Sequence, residues 1–430
     1  MHKPKIGIIG GGAAGMMAGA TIKELDPSMP VIIFDKNDHL GAKVIISGGG
    51  RCNVTTGIPS TTNDLQALGN NRHDVDKLIE NYPRGGKLLM SAFFNFPPLS
   101  TIEWFESHGV PLKTEEDFRV FPKSNNGHDI VGALETTLRE TNTEINLDTM
   151  ISQIEKIDSG FRLHTRTGHY NVDTLVLTTG GNAYRSTGST GDGYAFAKSL
   201  GHTITDLAPS LSSYITAEKW PAQISGVSFQ KAQLTLEKYT RTGPFLFTHK
   251  GVSGPAIFAL SGLAAYENPT REKPLHLTIN FFPEESLADF AERFQKLAND
   301  HGAKRLINFL DIFLPKSLCE IFIQLLSETT PIDPNLKASQ IDKTLKTRIV
   351  SLLTALPLTI IGRTPGDEFV TAGGVPTSEV NPNTMESKIQ PNLYFAGELL
   401  DIDGFTGGFN LQASWATGRL AGESIVKKFN

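Results

Sequence analysis

Cysteine is nearly missing from this chain: of 430 residues only Cys52 and Cys319 carry a thiol, and no Cys-x-x-Cys occurs. That scarcity argues against a disulfide-stapled fold and against a dithiol relay, and two lone cysteines fit a reducing, cytoplasmic compartment. Long apolar runs are missing too. None approaches the ~18–20 residues that span a bilayer, so no membrane partner is expected. Lys3 and Lys5 ahead of a Gly/Ala-rich stretch imitate a secretory signal, but glycines break that stretch, and cleavage would remove the glycine turn at 10–15. Basic runs interleaved with aromatics do not occur, and the net charge is −5. Nucleic acid is therefore not an expected partner, and an RNA-modifying role is disfavoured. No His, Cys or carboxylate set has metal-ligand spacing, no nucleophile elbow or Ser-His-Asp pattern is found, and there is no internal repeat.

What is present begins at residues 5–9, an apolar run leading into Gly10-x-Gly12-x-x-Gly15 and a small-residue segment that ends near Leu25. That order reads as strand, tight turn, helix. Gly10 permits the turn, Gly12 lets backbone approach a pyrophosphate, and Gly15 lets the helix pack on the strand. The anion then meets the N–H groups at the helix start, around Ala13 and Ala14. A second apolar run, 31–34, stops at Asp35 and Lys36, with Asp35 twenty residues past Gly15. An acid at that spacing accepts hydrogen bonds from an unphosphorylated ribose. FAD and NAD both remain open at this point.

The return of the chain separates them. Residues 150–157 and 161–167 read as short strands joined by Asp158-Ser159-Gly160, a meander typical of flavoprotein disulfide-reductase-like domains, with Ile151 at its entrance. Residues 171–181 read as a buried strand ending in a turn at Thr179, Gly180 and Gly181 that approaches the dinucleotide. A further strand at 392–398 stops at Gly397 and Glu398, the acid being placed for ribitol hydroxyls, which only a flavin has. Asp401, a glycine turn holding Gly407 and Gly408, Asn410 and then Leu411 lead into a helix at 411–429 with lysines near its end. The start of that helix, facing the N1–C2=O edge of the isoalloxazine, would stabilise its negative charge by ~1–2 kcal/mol. Between the two halves, residues 41–56 set Lys43, Ser47, Arg51 and Asn53 among Gly41, Gly48, Gly49 and Gly50. This is a donor-rich glycine loop lying over pyrophosphate and flavin. Cys52, within it, reads as a packing residue.

Taken with Gly10-Gly11-Gly12-Ala13-Ala14-Gly15, the segments 41–56, 118–122, 178–202, 247–258, 372–380 and 397–410 follow one another in family order from end to end. In them the chain resembles the BaiN-like and aminoacetone oxidase-like family of FAD-binding flavoproteins. The resemblance implies non-covalent FAD and an oxidoreductase, either oxidising an amine with O₂ or reducing an unsaturated bond. It draws attention to His249 and Lys250, the nearest to acid/base candidates, although a turn held by Gly251, Gly254 and Pro255 is the preferred reading of them.

The expected fold is α/β: a Rossmann-like FAD-binding domain of glutathione-reductase type with a β-meander, formed by 1–206 and 357–430. An antiparallel β-rich substrate subdomain is expected at 207–284, as a half-exposed sheet or small barrel, and a helical lid at 285–356. Asn/Asp/Thr-rich loops are expected around 60–75, and Arg84, Arg119 and Lys123 read as solvated surface charge. No second Gly-x-Gly-x-x-Gly follows a strand, so NAD(P)H, where it serves as reductant, binds only transiently. The expected function is hydride transfer between flavin N5 and a small organic substrate at the interface of the FAD domain and the insertion. A flavin-binding module or sensor without turnover is the alternative, and oligomeric state is open.

Overall fold

The computed structural model describes residues 3–57, 72–366 and 368–430; of the loops expected around 60–75, residues 60–71 lie outside the described residues. The chain forms two compact units, Met1–Ser210 with Phe369–Asn430, and Leu211–Glu368.

The first unit is built on a five-stranded sheet in the order Leu393–Phe395, Thr174–Leu177, Ile6–Ile9, Val31–Phe34, Glu144–Asn146. Every pairing in it is parallel, with Ile6 in register with both Thr174 and Val31. The three middle strands are buried at all positions, which is why they read as unbroken apolar runs rather than alternating ones. A three-stranded antiparallel meander, Gln153–Ile157, Gly160–His164 and His169–Val172, is the expected one. Gly7 admits it: a Cβ there would stand 3.0 Å from Val172 and 3.4 Å from Leu163. The apolar run at 171–177 is not one strand, however. It divides at Asp173, whose carboxylate accepts the Lys5 N–H at 2.6 Å, so Val172 ends the meander and Thr174 opens a sheet strand.

The second unit contains a closed six-stranded antiparallel barrel in the order Tyr214–Thr216, Gly251–Ser253, Tyr239–Phe247, Ser228–Leu236, Leu275–Asn280, Leu356–Arg363. Alternation along Ser228–Leu236 buries Ala232, Leu234 and Leu236 and leaves their neighbours wetter. Helices Leu287–Asp300, Leu306–Leu310, Lys316–Ser327 and Lys343–Thr354 share one hydrophobic core with the barrel, Phe290 and Phe294 lying in the same cluster as Phe245 and Phe247. Ser286 and Asp342 start two of these helices by accepting the N–H groups of Asp289 and Leu345. The last barrel strand runs past residue 357, the position at which the sequence reading returned the chain to the flavin part. Helix Pro255–Leu263 follows the turn expected around Gly251, with Gly254 at φ 106 before it and Pro255 at its first position.

Candidate dinucleotide site

The three glycines of the first turn are required by different things. A Cβ on Gly10 would stand 2.5 Å from the Thr178 carbonyl oxygen, and one on Gly15 would stand 1.9 Å from the Gly10 carbonyl oxygen. The protein itself forbids side chains there. At Gly12 a Cβ would meet nothing within 4 Å. Helix Ala13–Leu25 starts at Gly12 with no side-chain cap and no acid in its first turn, so its first amides are available to an anion. Asp35 sits beside the loop. Its Oδ2 accepts the Gly11 N–H at 2.7 Å and its Oδ1 accepts the Asn37 N–H at 2.9 Å, while burial pushes its carboxyl above the ordinary range.

The C-terminal helix, Phe409–Phe429, lies against the first one through small residues. A Cβ on Gly418 would stand 2.4 Å from the Ala14 carbonyl oxygen, and one on Gly422 2.9 Å from that of Ala18. Contact advances in the same direction along both helices, so they are parallel and their N-termini face the same way. Phe409 lies nine residues before Gly418, whereas Ala13 lies one before Ala14, a stagger of eight residues or about 12 Å. Gly397, at φ 73, is wedged where a Cβ would be 3.0 Å from Ala14 and 3.5 Å from Ser414, and its N–H donates to Thr417 Oγ1 at 3.0 Å. Gly407 and Gly408 have φ 129 and 94, and a Cβ on Gly408 would strike the Thr55 backbone at 2.4 Å. Asn410 clamps this turn, its side chain accepting the Gly404 N–H and donating to the Gly404 carbonyl, both at 2.8 Å. Leu411 is half-buried against the core.

Lys43 joins these segments. Its Nζ lies 2.9 Å from Glu398 Oε2 and 3.1 Å from Ser189 Oγ. The other Glu398 oxygen accepts the Thr371 N–H at 2.9 Å, and Gly181 leaves it space, since a Cβ there would come within 2.7 Å. Lys36 donates to Thr190 Oγ1 and Asp192 Oδ2, each at 2.5 Å. The glycine loop turns through left-handed Gly48, Gly49 and Gly50, and Gly49 and Gly50 have open space where a Cβ would be. Ser47 Oγ donates to the Val44 carbonyl and Asn53 Oδ1 accepts the Val120 N–H, so both fasten the loop itself. Arg51 stacks 3.9 Å above the Phe121 ring and pairs with Glu115 at 2.8 Å. Cys52 is fully buried, and burial pushes its thiol up to about 12. Ile151 belongs to the core. Near the Gly180 turn, at φ 73, Thr179 Oγ1 is buried without a hydrogen-bond partner, and so is Asp401 Oδ1, whose carboxyl burial pushes up.

His249 and Lys250 are exposed in the second unit, in the turn where the Gly251 N–H donates to the Thr248 carbonyl. The reading of Arg84 as surface charge is corrected. Its Nε lies 2.5 Å from Asp403 Oδ1, a second guanidinium nitrogen bonds Asp403 Oδ2, and Ser210 Oγ donates to the same carboxylate at 2.8 Å. Asp403 is fully buried and its carboxyl is pushed up by that burial. Ser189, Thr371 and Asp403 were not singled out in the sequence: their partners lie up to 319 residues away, and no local pattern marks them. Among the described residues no cluster of three His, Cys, Asp or Glu suits a metal ion, and no helix is long and apolar enough to cross a membrane.

Comparison with known proteins agrees with this architecture. The family described as HI0933-like protein Rossmann domain matches residues 4–424. A 3-dehydro-bile acid delta(4,6)-reductase of Clostridium scindens is 30% identical over 433 residues, covering 99% of each chain. A ribosomal RNA dihydrouridine synthase of Haemophilus influenzae is 28% identical over 430 residues, covering 98% of each. In fold alone, the chain is similar to the 3-ketosteroid-delta4-(5alpha)-dehydrogenase of Rhodococcus jostii RHA1, at 14% identity and TM-score 0.53, over 99% of this chain and 97% of that one. The chain therefore belongs to the HI0933-like Rossmann family of FAD-dependent oxidoreductases.

Proposed function

We propose that the chain reduces an unsaturated bond in a small organic molecule, with FAD lying along the glycine turn, the Lys43–Glu398 pair and the start of the C-terminal helix. The observation that carries this is the parallel pair of uncapped helices staggered by about 12 Å, with Gly12 bare and Gly397 wedged between them. FAD, when bound and reduced by NAD(P)H, would supply the hydride from its N5. The Ala13 and Ala14 amides hold the pyrophosphate, and Asp35 the adenosine ribose. Glu398, oriented by Lys43, accepts from ribitol hydroxyls. The start of helix Phe409–Phe429 holds negative charge at the flavin's pyrimidine edge, at ~1–2 kcal/mol.

The reductive direction rests on the names of the two relatives, a delta(4,6)-reductase and a dihydrouridine synthase. NAD(P)H is a transient reductant in this reading, and the two buried unpaired thiols fit a cytoplasmic location. Anaerobic mixing with NADH and NADPH tests the proposal. It requires the flavin to bleach, and an unsaturated acceptor to restore its colour faster than O₂ does. Restoration by O₂ alone sinks it in favour of an oxidase.

A second reading takes RNA as substrate, because two relatives, 28% and 27% identical, are named as ribosomal RNA dihydrouridine synthases. A net charge of −5 with dispersed lysines and arginines weighs against it. Turnover with ribosomal RNA and none with free unsaturated compounds decides for this second reading.

A further inference from the structure

Phe118 stands at φ 64 and is 41% exposed. For a bulky residue that left-handed backbone costs on the order of 1 kcal/mol, and burial does not repay it. The conformation closes a local corner: the Phe118 carbonyl accepts the Gly57 N–H at 2.6 Å, and its own N–H donates to the Glu115 carbonyl at 2.9 Å. The ring thereby lines an open groove of about 220 Å³, whose other walls include Thr56, Asn81, Thr406, Gly407 and Phe409.

Two features of this groove select its occupant. Phe118 and Phe409 offer aromatic surface, which favours a flat ring in offset or edge contact. Among the described lining residues the polar walls are neutral amide and hydroxyl groups, and the charged one, Asp117, is paired with Arg119 at 2.7 Å. None of the described lining residues is a cation that would take a phosphate or carboxylate. Gly407 and Phe409, on its wall, also open the helix whose start the proposed function gives to the flavin's pyrimidine edge.

We infer that Phe118 is the stacking platform for a flat, uncharged ring with a carbonyl or amide edge, received in this groove from the substrate or from a nicotinamide. The inference rests on the FAD reading of the C-terminal helix. The test uses the full FAD-loaded chain as wild type, Phe118→Gly and Phe118→Tyr, titrated with uridine and with nicotinamide while flavin absorbance is followed. Glycine takes φ 64 without strain, so Phe118→Gly keeps its fold, and its thermal midpoint should equal or exceed that of wild type. At least one ring should perturb the flavin saturably, about tenfold more weakly in Phe118→Gly and nearly unchanged in Phe118→Tyr. Saturation by uridine assigns the groove to substrate, and saturation by nicotinamide to the reductant. The inference is overturned when neither ring saturates, when Phe118→Gly binds like wild type, or when that variant alone loses FAD, which makes the groove a seat for the flavin itself. A wild-type protein without FAD sinks the proposed function instead.

Discussion

Lys43 and Glu398, 355 residues apart, form a 2.9 Å ion pair that fastens the glycine loop after the second strand to the end of the last one. Because Glu398 also accepts the Thr371 N–H, its carboxylate is oriented before any ligand arrives. Removing either partner should therefore act on FAD more than on folding. Lys43→Met and Glu398→Gln should each weaken FAD about tenfold, while apo-protein stability changes by no more than about 1 kcal/mol, since the lysine is partly solvated. Equilibrium titration with FAD beside denaturant unfolding of the apo forms measures both. Unchanged affinity would contradict the role given to the pair.

The glycine turn yields a paired test. Gly12→Ala adds a methyl where nothing lies within 4 Å, so it should fold normally and lose FAD affinity. Gly15→Ala places its methyl 1.9 Å from the Gly10 carbonyl oxygen and should damage the fold itself. Thermal midpoints and retained flavin, measured on both, separate the two effects. Full FAD retention by Gly12→Ala would mean that no pyrophosphate approaches there.

The buried Arg84–Asp403 pair should dominate stability around the C-terminal turn. Arg84→Met leaves Asp403, which is fully buried, without its counter-charge and should cost ~3–5 kcal/mol. Adding Asp403→Leu should recover part of that loss. A denaturant double-mutant cycle measures the coupling, and a loss below about 0.5 kcal/mol from the single substitution would place the pair in solvent.

How much of this was legible in the sequence depends on range. The Gly10–Gly15 turn, Asp35 and the parallel strands declare themselves because their causes are local: a spacing, an unbroken apolar run, an acid at its end. The same apolar logic misled at 171–177, where one run serves two sheets and only the Asp173 bond to Lys5 shows the break. Helix Pro255–Leu263 was hidden because its glycine and proline also spell a turn. Arg84 looked solvated because its partner is 319 residues away. Ser189 and Thr371 are ordinary hydroxyl residues until the fold sets them beside Lys43 and Glu398.

Asp26 predicts an acid limb in stability. The Lys3 ammonium and the Ser28 hydroxyl hold its carboxyl at about 2, below the ordinary 3.8. The unfolded chain then binds the proton first, so this contribution is complete above pH ~4 and disappears as pH falls toward 2. Lys3→Met should be less stable than wild type at pH 6, with the gap closing between pH 4 and 2. A gap independent of pH would show that the Lys3 bond does not bias Asp26.

FAD binding is tested by the visible spectrum of the purified protein before and after heat denaturation, followed by anaerobic NADH or NADPH. The protein should be yellow, release intact FAD when unfolded and bleach with a reduced nicotinamide when folded. A colourless protein that refuses added FAD would contradict FAD binding, leaving the two staggered helices without the ligand that explains them.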